Sequence, residues 1–254
     1  MSPDKRDRND DLPAVSGPAP RRDRRCQPAV PRIKGYEILG VLGEAAQGRV
    51  WRARQLSTRR EVALKVPQAD LLRSRKAMAR FAREVELAAR LSHPNIARIY
   101  DSGLCEGLYY YAMELIEGVP LDEYVRQHDL SSRQTMELML MVCEAIQHAH
   151  QNGVIHRDLK PSNILVDKGG RPRVVDFGLA RTILGSSTFQ TLSTDGEVTG
   201  TPAYMSPEQA AGKQGHLDTR TDVYSLGVVF YELLTGDFPY DVTTSTLQTL
   251  ENIR

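Results

Sequence analysis

One stretch restricts this chain more than any other. His156-Arg-Asp-Leu-Lys-Pro-Ser-Asn163 follows a long helical pattern closed by Asn152-Gly153 and precedes a short apolar run, Ile164-Leu-Val166. An acid, an amine and an amide, Asp158, Lys160 and Asn163, therefore share one loop between a helix and a strand. Further along, a second acid lies between an apolar run and a glycine in Val174-Val-Asp176-Phe-Gly178. Upstream, Lys65 sits inside the apolar run Val62-Ala-Leu-Lys-Val66, and Glu84 sits in the helical pattern that follows. Each piece alone has an ordinary explanation: a lysine ending a strand snorkels to solvent, and a loop carboxylate caps a helix. Their order along the chain asks for more.

The flanking periodicities supply the context. Tyr36–Leu42, Val50–Arg54 and Val62–Val66 read as short strands bounded by turn residues. Between the first two lies Gly43-Glu-Ala-Ala-Gln-Gly-Arg-Val50, the outline of a hairpin folded over a phosphate. Leu71–Leu91 places Phe81, Val85, Ala88 and Leu91 at helical spacing and is stopped by His93-Pro94. Two more strands are expected at Ile96–Tyr100 and Leu108–Met113. Beyond Glu117-Gly-Val-Pro120 the character turns helical. Arg133–Gln151 carries Met136, Met139, Cys143, Ile146 and His150 on one stripe, which reads as core. Val223–Leu234, interrupted by Ser225, Gly227 and Glu232, is expected as a buried helix. The order predicts an α+β, bilobal protein: a small β-rich lobe over 33–116 and a mostly helical lobe over 117–254.

Residues 1–32 read as a disordered arm. They hold Pro3, Pro13, Pro18, Pro20, Pro28, Pro31 and the basic run Arg21-Arg-Asp-Arg-Arg25, with few large apolar groups to offset the entropy of ordering. The whole chain of 254 residues carries a formal net charge of +1, so no overall field points to nucleic acid. Cys26, Cys105 and Cys143 match no metal spacing, and so sparse a set suggests a reduced, cytoplasmic compartment. No apolar run approaches the roughly 18 residues needed to span a bilayer. An anchor beyond residue 254 stays open.

Taken together, the elements resemble the protein-kinase signature: a glycine-rich loop, a strand lysine, a helix glutamate, His-Arg-Asp and Asp-Phe-Gly. "DLKPSN" and "GTPAYMSPE" are similar to the serine/threonine branch, and "HPNIARIYDSG" and "MSPEQA" resemble bacterial Hanks-type kinases. The resemblance covers about residues 35–254. It implies ATP and Mg2+ as cofactors and a protein serine or threonine as phosphoacceptor, with self-association for autophosphorylation. Asp158 would accept the hydroxyl proton, and Lys160 would steady the γ-phosphate. Thr201 would bridge the two. Asn163 and Asp176 would hold the metal. Lys65, held by Glu84, would meet the α- and β-phosphates. Gly43 and Gly48 would let the loop approach them. Val50, Ala63 and Leu165 would enclose the adenine, whose edge the backbone of Glu114 and Ile116 would read, with Met113 behind. His156 is expected to pack under Phe177 rather than act as a base. Asp222 would hold the loop backbone. Arg157 is a ready partner for a phosphate in the segment before Glu208, with Ser193 and Thr194 as the favoured acceptors.

Two departures qualify the resemblance. The middle glycine of the loop is Ala45, which costs little unless the position needs a positive φ. The family's second lobe continues with further helices, including an arginine that would pair with Glu208, so the lobe is expected to be incomplete at Arg254. Both departures motivate an alternative, a nucleotide-binding pseudokinase or signalling scaffold. A small-molecule phosphotransferase fits less well with the peptide shelf expected at Pro202–Pro207.

Overall fold

The computed structural model describes residues 30–45, 48–68, 74–178, 202–212, 217–242 and 245–254. The chain divides into residues 1–31 and residues 32–254, and nearly all of the first unit lies outside the described residues. The expected arm over 1–32 lies there almost entirely, as do Thr201, Ser193 and Thr194.

The second unit begins with a five-stranded antiparallel sheet in the order β1-β2-β3-β5-β4. β1 is Tyr36–Ala45, β2 Gly48–Gln55, β3 Glu61–Pro67, β4 Ile99–Cys105 and β5 Leu108–Glu114. Alternation along β3 sorts its side chains by face. Val62 and Leu64 join Trp51, Ala53, Tyr36, Ile33 and Ala112 in one apolar cluster. Ala63 and Lys65 point the other way, and their cross-strand partners are Met113 and Tyr111. Ala63, Tyr111 and Met113 share a core with helix α1, Arg75–Ala89, through its residues Phe81, Val85 and Ala88. Ser74 caps that helix by accepting from the Ala77 amide at 3.1 Å.

Strand β4 starts three residues later than the sequence pattern suggests. Ile96 forms an isolated parallel bridge with Val174 instead. The Ala97 amide donates to the Val174 carbonyl at 2.9 Å, and the Val174 amide donates to the Asn95 carbonyl at 2.8 Å. The Asn95 side-chain amide reaches the Pro172 carbonyl at 2.8 Å. These bonds stitch the segment leading into β4 to a second sheet, β6-β7-β8, made of Gly118–Pro120, Ile164–Asp167 and Pro172–Val174. A local apolar run cannot reveal that its first residues pair with a strand far ahead.

Helices build the rest. α2 spans Leu121–Gln127 and α3 spans Ser132–Gln151. A reciprocal Ser131–Gln134 capping box opens α3, and Gly153, at φ 72°, follows its end. Its buried face is Thr135, Leu138, Met139, Val142, Ala145, Ile146 and Ala149. The expected stripe is therefore half right: Met139 and Ile146 are core, whereas Met136 is 48 % exposed and Cys143 is also exposed. Leu138 and Val142 mark the centre of the face, and exposed Met136 and Leu140 show that apolar residues also lie outside it. The Thr219–Thr235 helix is amphipathic rather than wholly buried. Leu226, Val228 and Val229 face inward, while Val223 is 61 % exposed. A last helix, Thr246–Ile253, is capped by the Ser245 side chain. No helix among the described residues is long and apolar enough to cross a membrane.

Candidate active site

The loop His156–Asn163 is held from below. Asp222, on the first turn of the Thr219–Thr235 helix, is fully buried. Its Oδ2 accepts from the His156 amide at 2.7 Å, and its Oδ1 accepts from the Arg157 amide at 2.8 Å. His150 Nε2 lies 2.7 Å from the same Oδ2. Burial alone would raise the Asp222 pKa, but the hydrogen bond from His150, the nearby histidine and the two backbone amides hold it below the ordinary value. Arg157 takes a left-handed φ of 65°, an unusual backbone for a non-glycine residue that these bonds keep in place. His150 escaped notice in the sequence because its stripe reads as core.

His156 packs its ring 4.8 Å from that of Phe177. The Asp158 amide donates to its Nδ1 at 3.2 Å, so the proton sits on Nε2, which faces the Val175 carbonyl at 3.1 Å. A ring so placed is a strut, not a base. Burial pushes its pKa down. The folded protein thus binds that proton less readily than the unfolded chain. His156 leaves stability intact above the unfolded pKa of about 6.5 and weakens it as pH falls below that value. Melting curves from pH 8 to pH 5 should show this slope, and His156→Leu should flatten it while lowering stability at pH 8. An equal slope in both proteins would show that other groups carry it.

The chemistry-bearing groups meet above this base. The Asn163 amide nitrogen donates to the Asp158 carbonyl at 2.7 Å and to Asp158 Oδ2 at 3.2 Å. Lys160 Nζ lies 3.4 Å from the same Oδ2. Asn163 ends a single helical turn, Pro161–Asn163, and its carbonyl accepts from the Val175 amide at 2.9 Å. That bond sets the start of Val175-Asp-Phe-Gly178 beside the loop. Gly178 is required here: a Cβ would lie 2.6 Å from the His156 carbonyl, to which the Gly178 amide donates at 2.7 Å.

Asp176, at φ 57°, turns its carboxylate toward the sheet. Lys65 forms an ion pair with its Oδ2, and the Tyr111 hydroxyl donates to its Oδ1 at 2.7 Å. Burial would raise this carboxyl, but the Lys65 charge and both hydrogen bonds outweigh it and keep the pKa low. Glu84 does not hold Lys65 in this arrangement. It pairs with Arg157 at 3.3 Å. Sequence order cannot distinguish these pairings, since both cations lie within reach of one helix face.

The remaining residues assigned to nucleotide line up by register. Val50 is opposite Lys65, and Ala63 is opposite Met113, on the same face of the sheet. Leu165 lies in β7 opposite Pro120. The Glu114 amide is committed to the Arg98 carbonyl at 2.8 Å, and its side chain pairs with Arg173. Ile116 follows β5 in the link to β6. Gly43 pairs with Val50 and Ala45 with Gly48 across the hairpin. The left-handed position belongs to Gly48, at φ 140°, where a Cβ would lie 2.3 Å from the Val66 carbonyl. Past residue 201, Ser206 and Gln209 form a capping box, and Gln209 donates to the Arg157 carbonyl at 2.8 Å. The Glu208 carboxylate accepts from the Thr221 hydroxyl at 2.6 Å.

The model of the family described as "Protein kinase domain" matches residues 36–254. The chain belongs to that family. Its serine/threonine kinase relatives include PrkC of Bacillus subtilis, 40% identical over 225 residues, which cover 88% of this chain and 34% of PrkC. PknB of Mycolicibacterium smegmatis is 42% identical over 212 residues, covering 81% of this chain and 33% of PknB. The chain thus spans about a third of the length of these relatives. Among solved structures, a mutant of the Mycobacterium tuberculosis PknI kinase domain superposes with a TM-score of 0.66 at 28% identity, covering 84% of this chain and 78% of that one. The kinase fold, with a β-rich lobe and a helical lobe, is therefore the fold of this chain, and its relatives are of the bacterial Hanks type.

Proposed function

We propose that this protein is a serine/threonine protein kinase that transfers the γ-phosphate of ATP to protein hydroxyls. The observation that carries this reading is the cluster of Asp158, Lys160 and Asn163 on one braced loop, facing Asp176 and Lys65. The kinase names of the relatives support it and lend nothing to the scaffold alternative.

The residues fit the cofactors. The Asn163 amide nitrogen is spent on Asp158, which would leave its oxygen to hold the metal together with the Asp176 carboxylate. No group of three or more His, Cys, Asp or Glu that could hold a metal occurs among the described residues. The Asn163 and Asp176 oxygens suit Mg2+, which takes one or two protein oxygens and fills its shell with phosphates and water. Bound MgATP would supply the transferable phosphoryl group and neutralise charge as it moves. Asp158, kept in place by Asn163 and Lys160, would orient the substrate hydroxyl and take its proton on the carboxylate. Lys160 would remain beside it to balance negative charge on the phosphoryl oxygens. Lys65 would leave Asp176 for the α- and β-phosphates. The Glu114 amide is already used, so its carbonyl is the group left to read the adenine edge, together with the Ile116 backbone. Val50, Ala63 and Leu165 would close on the ring, with Met113 behind it.

The Arg157–Glu84 pair supports regulation by phosphorylation of the segment before Pro202. A phosphate there, on Ser193 or Thr194, would compete with Glu84 for Arg157, and the released Glu84 would then brace Lys65. Purified protein incubated with ATP and Mg2+ should gain phosphate on this segment by mass spectrometry. Its transfer to a generic basic protein should then rise several-fold. The gain should grow with protein concentration if one copy modifies another. An active enzyme whose segment stays unmodified would sink the regulatory part, and absence of transfer under all conditions would sink the activity.

A further inference from the structure

We infer that Tyr111 is a positioning residue for Asp176: its hydroxyl is the tether that keeps the metal-binding carboxylate aimed once Lys65 has turned to the nucleotide. The inference rests on the kinase reading and deepens it.

Asp176 has two protein partners, one on each oxygen: Lys65 on Oδ2 and Tyr111 on Oδ1. They differ in permanence. Lys65 is a flexible amine that the phosphates of a bound nucleotide would draw away. Tyr111 cannot follow, because its ring is 1 % exposed and its strand register places it directly opposite Lys65 on β5. Phe81 of α1 lies against it, with ring centroids 6.1 Å apart. A ring fixed in that way puts the hydroxyl at one point in space. A phenol is protonated near neutral pH, so the hydroxyl donates to the Asp176 carboxylate.

The carboxylate needs such a tether. Asp176 holds a left-handed backbone that a non-glycine residue rarely takes, at φ 57°. Without Tyr111, departure of Lys65 would leave the side chain free to rotate and the backbone free to relax. Metal binding would then have to supply the ordering itself. A carboxylate oxygen has lone pairs for both a hydrogen bond and a metal, so the tether does not exclude Mg2+. A buried hydroxyl needs a partner, and this one has found the acid of the Asp-Phe-Gly turn.

Tyr111→Phe removes the tether and keeps the ring. Both chains are titrated with Mg2+ in the presence of a saturating non-hydrolysable ATP analogue, with melting temperature as the readout, and both are assayed for transfer. The expected result is an increase of about tenfold in the Mg2+ needed for half the stabilisation, the loss typical of one hydrogen bond to a charged group. Equal half-saturation in the two chains, with or without a lower melting temperature before Mg2+ is added, overturns the assignment of Tyr111 and leaves the kinase reading standing. A shifted half-saturation in a protein that transfers no phosphate supports Tyr111 and overturns the activity. A wild-type chain whose stability does not respond to Mg2+ overturns both.

Discussion

Asp158→Asn is expected to lower phosphoryl transfer about 10²–10⁴-fold, the usual worth of a general base. Asparagine has nearly the same shape and can still accept from the Asn163 amide, which lies 3.2 Å from Oδ2 in the parent protein. It cannot take a proton from the incoming hydroxyl, and its neutral group removes the attraction to Lys160. The variant should therefore still be stabilised by MgATP in a melting experiment while losing turnover. Unchanged turnover would falsify the mechanism proposed for this loop. A collapse of melting temperature with no nucleotide response would instead show that Asp158 serves the fold.

The second large effect is on stability. Asp222→Ala leaves the buried amide of His156 and the half-buried amide of Arg157 without their acceptor and takes a carboxylate from His150. Each buried donor left unpaired costs about 1–3 kcal/mol, so the total is expected at about 3–5 kcal/mol. In a domain of this size that corresponds to a fall of roughly 10 °C in melting temperature. Denaturant unfolding of the two proteins checks the figure. The loss should diminish as pH falls, because the parent Asp222 holds its carboxyl below the ordinary value. A group with a lowered folded pKa stabilises above its unfolded pKa, about 4, and that contribution disappears as pH drops through the folded value. A loss under about 1 kcal/mol would mean that water or another group replaces the carboxylate.

Much of this was legible beforehand, for identifiable reasons. β1, β2, β3 and β5 follow from local alternation between turns, and each occurs within a few residues of the expected bounds. The kinase family followed from short motifs whose order and flanking elements agree, and the family match confirms it. What escaped depends on contacts between distant residues. Asn95–Ala97 pair with Val174 rather than opening β4. Helix α3 carries large apolar residues beyond its buried face, Met136 and Leu140 among them, so its sequence alone does not single that face out. The exchange that puts Glu84 on Arg157 depends on how helix α1 sits, which no local pattern records. Tyr111 left one faint sign: a hydroxyl on the strand face that also carries Lys65, where burial obliges it to find a partner.

The stitch between Asn95–Ala97 and Val174 also has a mechanical side. Val174 is anchored to the segment leading into β4, and Asp176 lies two residues away, roughly 7 Å along the chain. If the sheet swings about this seam by about 10°, Asp176 travels only about 1 Å, because its lever arm is short. Ala45 and Gly48, paired at one end of β1 and β2, lie farther from the seam and would sweep a wider arc. Breathing of the cleft would thus move the hairpin widely while Asp176, the acid proposed for the metal, stays near the axle.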